Sequence, residues 1–160
     1  MILLKKLIFT LLTAFLIASI LSSCSIPNKT YLNNKKPNNF YYTNLASKNV
    51  KLISDIKISL IDMNYYKQIE LDKESVTNIT AFFNKLNKEN FIECPKDLPQ
   101  KPKYKLMISS KNEVYVINVY NNKYISVYPW DGAFPMDYID MSSIPPSINL
   151  YELCKFIYSL

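Results

Sequence analysis

The second half of the chain contains four β-type runs, and short polar segments separate the first three. The runs are rich in valine, isoleucine and tyrosine, which favour strands, and comprise residues 104–109, 114–120, 124–128 and 137–141. Residues 110–112 and the pair Asn121 and Asn122 supply turns, and an asparagine pair suits a two-residue hairpin. A parallel pair would need a crossover of about a dozen residues or more, so strands joined this closely pair antiparallel. The pattern predicts an antiparallel sheet.

The region before these runs contains two more candidate strands and a helix. Near-alternating apolar residues predict a strand within residues 53–63, and we expect residues 65–71 to return as its partner after a short turn. Asp72 stands where a helix N-cap belongs, and Glu74 follows in the first turn. Apolar residues at helical spacing then predict a helix over residues 73–86 with one apolar face.

A last helix is predicted near the C-terminus, where Ser147 or Asn149 can cap it. Its shared apolar face would consist of Leu150, Leu153, Cys154 and Ile157. The order of elements indicates an α+β fold, with an antiparallel sheet of about four to six strands and two helices packed on one face.

The N-terminus has the order of an export signal. Lys5 and Lys6 precede an apolar and small-residue stretch, residues 7–20, and small Ser22 and Ser23 lead into Cys24. Residues 21–24 resemble the lipobox of bacterial lipoproteins. The resemblance implies that Cys24 is lipidated on its sulfur and becomes the first residue of the mature protein. The alternative is an uncleaved anchor, but the apolar stretch is shorter than the roughly 20 residues that span a bilayer.

These features predict three parts: a signal peptide at 1–23, a lipidated cysteine with a flexible tether at 24–39, and a single α+β domain at 40–160. The tether is polar, rich in asparagine and interrupted by Pro27 and Pro37. A diacylglyceryl group on Cys24 would hold the protein stably, since two acyl chains anchor where one does so only marginally. We therefore expect a lipid-anchored protein on the extracytoplasmic face of the cell membrane, with membrane lipid as a partner.

The amino-acid composition excludes several kinds of catalytic and binding site. The chain has no histidine, its basic residues are all lysine, and its single glycine is Gly132. Histidine-dependent nucleophiles and bases, imidazole metal sites, guanidinium clamps and glycine-rich nucleotide loops are therefore excluded. The net charge of +6 falls to +4 when the signal removes Lys5 and Lys6. An exported protein meets little nucleic acid, so we expect no nucleic-acid partner. Since the composition lacks the usual ligand residues, we also expect no cofactor and no metal.

Cys94 and Cys154 are the thiols left in the mature domain. Outside the cytoplasm such a pair can form a disulfide, which would contribute about 4 kcal/mol. The alternative is two buried free thiols, because Cys154 lies on an apolar helical face.

The segment around Trp130 is the best candidate for a binding surface. The only tryptophan and the only glycine stand together there, in the run Tyr128, Pro129, Trp130, Asp131 and Gly132. Loops of this kind carry function more often than the elements that they connect. Tyrosines of the neighbouring strands could extend the surface, although packing beneath the helices is the other interpretation.

The same region contains three acids, Asp131, Asp137 and Asp140. Paired carboxylates can act as general acid and base or bind a hard cation. Their spacing matches no EF-hand loop, and turn aspartates commonly cap backbone groups instead.

The stretch from Asp72 through residues 137–141 to residues 149–154 is similar to a family of small lipoproteins of low-GC Gram-positive bacteria, classed as a domain of unknown function. The resemblance implies an extracytoplasmic lipoprotein and adds no activity or site. We therefore expect a membrane-anchored, non-catalytic binding module for a protein, peptide or cell-wall component. The alternatives are a carboxylate-dependent enzyme that acts on wall glycan or peptide, and an enzyme inhibitor.

Overall fold

The computed structural model describes residue 6 and residues 36–53, 55–111, 113–131 and 135–159. The chain divides into two compact units, Met1–Asn33 and Asn34–Leu160. In the first, only Lys6 is described, as an exposed helical residue. The rest of the predicted signal peptide and Cys24 lie outside the described residues.

The described part of the second unit contains three α-helices and seven strands. The helices are α1 (Tyr41–Leu52), α2 (Lys73–Lys85) and α3 (Leu150–Ile157). The strands are β1 (Lys57–Asp62), β2 (Lys67–Glu70), β3 (Phe91–Ile92), β4 (Tyr104–Ser109), β5 (Val114–Val119), β6 (Tyr124–Pro129) and β7 (Asp137–Asp140). Short 3₁₀ turns occupy Lys88–Asn90 and Pro146–Ile148.

All seven strands form one sheet in the order β2-β1-β4-β5-β6-β7-β3, and every neighbouring pair is antiparallel. The predicted α+β class is confirmed. The sheet has one strand more than the upper end of the predicted four to six. The additional strand is β3, which pairs Phe91 with Ile139 and lies at the start of a proline-containing stretch.

The helices cover one face of this sheet. Side chains of all three helices share a single core with alternate residues of the strands, which include Ile58, Leu60, Leu106, Ile108, Ile117, Val127 and Ile139. Alternation along each strand places every second side chain on this face. We call it the helix face and the opposite side the second face.

Helix α1 was not predicted. Its buried residues Tyr42, Ala46 and Val50 have the four-residue spacing of a helix, but tyrosine, threonine and asparagine at its start are weak helix formers. No side chain caps its N-terminus. The sheet is therefore covered by three helices rather than the predicted two.

The other two helices begin as predicted. The Asp72 side chain accepts a hydrogen bond from Ser75 N at 2.9 Å, and the Asn149 side chain accepts one from Tyr151 N at 2.9 Å. Each cap satisfies a backbone donor that the helix itself leaves unpaired. The choice between Ser147 and Asn149 is thus resolved in favour of Asn149.

The folded body begins before residue 40. Lys36 Nζ lies 2.7 Å from Asp137 Oδ1, and Asn39 Nδ2 donates to Phe91 O at 3.2 Å. The rings of Phe40 and Phe91 pack 5.5 Å apart. Residues 36–39, the end of the predicted tether, therefore belong to the folded body. Their polar composition gave no indication that Lys36 pairs with a buried carboxylate.

Among the described residues, no helix has the length and apolar character needed to cross a membrane.

Candidate functional site

Trp130 lies where β6 leaves the sheet. Its backbone N–H donates to Val114 O at 2.8 Å, so the chain remains paired with the start of β5 beyond Pro129. The indole is 61% exposed although the backbone around it is held. A large apolar side chain presented on a fixed backbone is a frequent feature of binding surfaces.

A cleft of about 260 Å³ opens beside the indole, and we call it the Trp130 cleft. It is lined by Glu113, Val114, Tyr115, Pro129, Trp130 and Asp131. The β5–β6 register pairs Tyr115 with Pro129 and Val116 with Tyr128. Continuing this register past the last paired residues puts Glu113 opposite Asp131. Like charges directly opposite each other destabilise a sheet. Hydrogen-bond donors or a cation beside Glu113 and Asp131 would reduce the repulsion between their carboxylates.

Hydrogen bonds hold one of these two carboxylates in position. Glu113 Oε2 accepts from Tyr115 Oη at 3.0 Å and from Asn49 Nδ2 of α1 at 3.1 Å. Burial, followed by the hydrogen bond and charge of Glu113, raises the pKa of Tyr115 well above its usual value. The Tyr115 hydroxyl therefore remains a proton donor at physiological pH.

The negative charge of Asp131 also affects the pKa of a tyrosine in this region. Burial is the main cause of the raised pKa of Tyr42, and Asp137 and Asp131 add to it. Within the described part of the chain, the ion pairs are Lys36–Asp137 and Lys155–Glu152, so neither Glu113 nor Asp131 is paired with a lysine there. The Trp130 cleft is thus an acidic patch on a basic protein.

The structure brings together only part of the predicted surface. Trp130 and Asp131 line the cleft, whereas Tyr128 pairs with Val116 on the second face and does not line it. Gly132 lies outside the described residues. Glu113 was missed because the predicted two-residue turn at Asn121 and Asn122 would pair it with Trp130. The observed loop has three residues, since Tyr120 N donates to Tyr124 O and Val119 pairs with Ile125, and this register places Glu113 opposite Asp131.

The strand tyrosines divide between the two faces. Tyr115 is 4% exposed and pairs with Ile108 on the helix face, which fits the packing interpretation. Tyr124 and Tyr128 lie on the second face, where Tyr124 Oη donates to Asp97 at 3.0 Å.

The three clustered aspartates have different environments. Asp137 is fully buried and accepts hydrogen bonds from Lys36 Nζ at 2.7 Å, Thr43 N at 2.8 Å and Thr43 Oγ1 at 3.0 Å. Asp140 accepts from Ser142 N at 2.8 Å, which is the backbone cap expected of a turn aspartate. Only Asp131 lines the cleft, and the described residues contain no group of three or more acids or cysteines that could hold a metal ion.

The predicted disulfide is not formed. Cys154 is a free thiol in the core beneath the helices, whereas Cys94 is a free, exposed thiol. Cys94 contacts Tyr138, which pairs with Ser126 on the second face. The sheet thus separates the two sulfur atoms. The alternative of two buried thiols is also wrong, because Cys94 is exposed.

The comparisons with known proteins agree with this fold. The family model described as "Domain of unknown function (DUF4883)" matches residues 36–154. A crystal structure of a candidate lipoprotein from Clostridium perfringens is 37% identical with a TM-score of 0.68, and the match covers 79% of this chain and 100% of that chain. No curated protein matches the chain.

Proposed function

The chain belongs to the family of the domain of unknown function DUF4883, and on that premise we propose that it is a lipid-anchored, extracytoplasmic binding module. Its Trp130 cleft binds an amino group presented by a protein, a peptide or a cell-wall component, and it does so without chemical conversion. The observation that carries this proposal is the pair Glu113 and Asp131, which flank an exposed indole and have no lysine partner among the described residues.

The ligand chemistry follows from the groups in the cleft. An ammonium group in the cleft can donate charge-assisted hydrogen bonds to the two carboxylates. Pro129 and the indole supply an apolar wall for the carbon chain that bears the amine. A cation bound there would also relieve the repulsion between Glu113 and Asp131.

The position of Asp137 argues against the carboxylate-enzyme alternative. A pair of catalytic carboxylates must both reach the substrate, but Asp137 is fully buried and already accepts from Lys36 and Thr43. Asp131 therefore cannot act with Asp137, and the acid beside it in the cleft is Glu113, whose carboxylate already accepts from Tyr115 and Asn49.

Two observations support the lipid anchor, the N-terminal sequence and the similarity to a candidate lipoprotein. The lipobox-like residues 21–24 precede a folded unit that is similar to a candidate lipoprotein. We propose that Cys24 bears the lipid and holds the domain at the outer face of the cell membrane. Labelling of cells with radioactive palmitate tests this part, and we expect the label on the natural chain and none on Cys24→Ala. Equal labelling of both would contradict the anchor.

Tryptophan emission tests the cleft directly, because Trp130 is the only tryptophan in the chain. The probes are the capped peptide acetyl-Lys-Lys-Lys-amide and, as a neutral comparison, a trimer of N-acetylglucosamine. We expect a saturable change in emission with the lysine peptide, weakened by added salt, and none with the neutral sugar.

Variants locate the binding. Asp131→Asn and Glu113→Gln should each weaken the lysine peptide by about tenfold, the effect of losing one charged hydrogen bond. Glu93→Gln is the matched control, since Glu93 is exposed and does not line the cleft. Equal affinity in all three variants, or a response to the neutral sugar alone, would refute the proposed ligand class.

A further inference from the structure

One edge of the sheet ends in β2, which pairs with β1 on one side only. Leu71 N donates to Ile58 O at 2.8 Å, and hydrogen-bonded pairs alternate along an antiparallel ladder. Ile69 therefore directs its backbone groups to β1, while Gln68 and Glu70 direct theirs outward. Two residues of β2 thus offer N–H and C=O groups to an additional strand.

An apolar groove adjoins this edge on the helix face. It has a volume of about 370 Å³ and lies between β2, the start of α2 and the end of α3. Its apolar lining consists of Ile69, Leu71, Leu153, Phe156 and Ile157. Phe156 is 60% exposed, so the apolar lining continues to the protein surface.

The rim of the groove is acidic. Asp72 and Glu74 line it at the start of α2, and Glu70 adjoins it at the edge of the sheet, with its side chain on the second face. Asp72 is occupied as the cap of α2, but neither Glu70 nor Glu74 forms an ion pair within the part of the chain that the structure describes. An apolar groove with uncompensated negative charge complements a segment that has both apolar and basic side chains.

We propose that the edge of β2 accepts an extended peptide from a partner protein, with apolar residues alternating with lysine or arginine. The peptide backbone pairs with Gln68 and Glu70 and extends the sheet by one strand. Its apolar side chains enter the groove beside Ile69.

The register of the sheet supports this alternation. Ile69 pairs with Leu60 of the core, so its side chain is on the helix face, and the side chains of Gln68 and Glu70 are on the second face. A strand added beside β2 would follow the same pleat. Its basic side chains would then stand beside Glu70, an opposite-charge pair across strands that stabilises a sheet.

The shortness of β2 sets the strength of the contact. Short edge strands limit unwanted pairing, and β2 has only four residues. Backbone pairing alone would be weak, so specificity comes from the groove and the acidic rim. This surface is separate from the Trp130 cleft, and the two share no lining residue.

The test uses the ¹⁵N-labelled protein and the capped peptide acetyl-Lys-Leu-Lys-Val-Lys-Leu-Lys-amide. We expect saturable shifts in the amide signals of Gln68, Glu70 and Phe156, and slower hydrogen exchange at Gln68 and Glu70. The same peptide N-methylated at every internal residue keeps charge and apolar groups but cannot pair as a strand, so we expect its affinity to fall at least tenfold. Equal binding of the methylated peptide would overturn the proposal.

Variants separate this surface from the Trp130 cleft. Phe156→Ser and Glu70→Lys should each weaken the peptide at least fivefold, whereas Leu52→Ser, at an apolar side chain of similar exposure, should not. Asp131→Asn should leave the shifts at β2 unchanged. Shifts that map only to Trp130 and vanish in Asp131→Asn would refute the β2 surface and leave the proposed function standing. Self-association of the free protein through β2, detected by sedimentation, would also refute it, since a second copy would then be the occupant.

Discussion

The hydroxyl of Tyr158 accepts a hydrogen bond from Asp62 N at 2.8 Å and so joins the C-terminal segment to the β1–β2 hairpin. The same oxygen lies 3.1 Å from Leu60 O and contacts Lys67 O, and its single proton serves these two carbonyls. Asp62 and Lys67 are opposite each other in the register. The tyrosine hydroxyl thus bridges the two strands at the turn end of their ladder.

Tyr158→Phe should lower the free energy of unfolding by about 1–3 kcal/mol, because it leaves Asp62 N without its partner. The ring stacks on Tyr104 with centroids 5.8 Å apart, and phenylalanine keeps that contact. The substitution therefore isolates the hydroxyl. Urea unfolding followed by circular dichroism gives the change, and Tyr65→Phe is the control because Tyr65 is 83% exposed. Equal stability of the two variants would show that the bridge contributes nothing.

Lys36→Met should destabilise the fold by about 3–5 kcal/mol, since it leaves the Asp137 carboxylate buried without its cation. The Lys36 side chain is only 14% exposed, and its Nζ also donates to Met136 O at 2.6 Å. Thermal unfolding of the variant and of Lys36→Met/Asp137→Asn measures the coupling, and the double variant should recover part of the loss.

The control for this pair is Lys155→Met. Lys155 lies 3.9 Å from Glu152 in an exposed pair, which should contribute less than about 1 kcal/mol. If Lys36→Met were as mild as Lys155→Met, residues 36–39 would not belong to the folded body in solution.

The two thiols should differ in reactivity. Burial raises the pKa of the Cys154 thiol, and the side chain is enclosed in the core, whereas Cys94 is exposed. Iodoacetamide should therefore modify Cys94 in the folded protein and reach Cys154 only after denaturation. Peptide mass spectrometry with and without guanidinium measures this. A disulfide-linked peptide joining the two residues in the protein purified from cells would contradict the separation by the sheet.

Alkaline pH should unfold the protein. Burial is the main cause of the raised pKa of Tyr42, Tyr104, Tyr115, Tyr128, Tyr138 and Tyr158, and that of Tyr138 reaches about 12. Above about pH 10 the unfolded chain releases phenolic protons that the folded protein keeps, so stability is full below that pH and is lost as the pH rises toward 12. The hydrogen bond to Tyr151 raises the pKa of Lys103 and acts in the same direction.

The measurement is the urea midpoint at pH 8, 9, 10 and 11, compared between the natural chain and Tyr138→Phe. The variant should lose less stability between pH 10 and 11. A midpoint independent of pH up to 11 would mean that these hydroxyls are not buried in solution.

Local sequence patterns were sufficient to predict those helices and strands that are specified by their own residues and immediate neighbours. Strand β4 and helix α2 begin where the alternation of β4 and the Asp72 cap placed them, because each depends on a few neighbouring side chains. Helix α1 and strand β3 were missed for the opposite reason. The start of α1 is poor in helix formers, and β3 is a two-residue strand that exists through its pairing with β7.

The candidate sites show the same division. Local sequence patterns were enough to place Trp130 and Asp131 at the end of a strand, and the composition alone rules out histidine and arginine chemistry. Three relations emerged from the folded chain alone: Glu113 lies beside Asp131, Asp137 is buried against Lys36, and the sheet lies between Cys94 and Cys154. Those relations link residues far apart in the chain, and they depend on sheet register and on which side of the sheet the helices cover. Periodicity and capping act over a few residues, so they cannot specify such contacts.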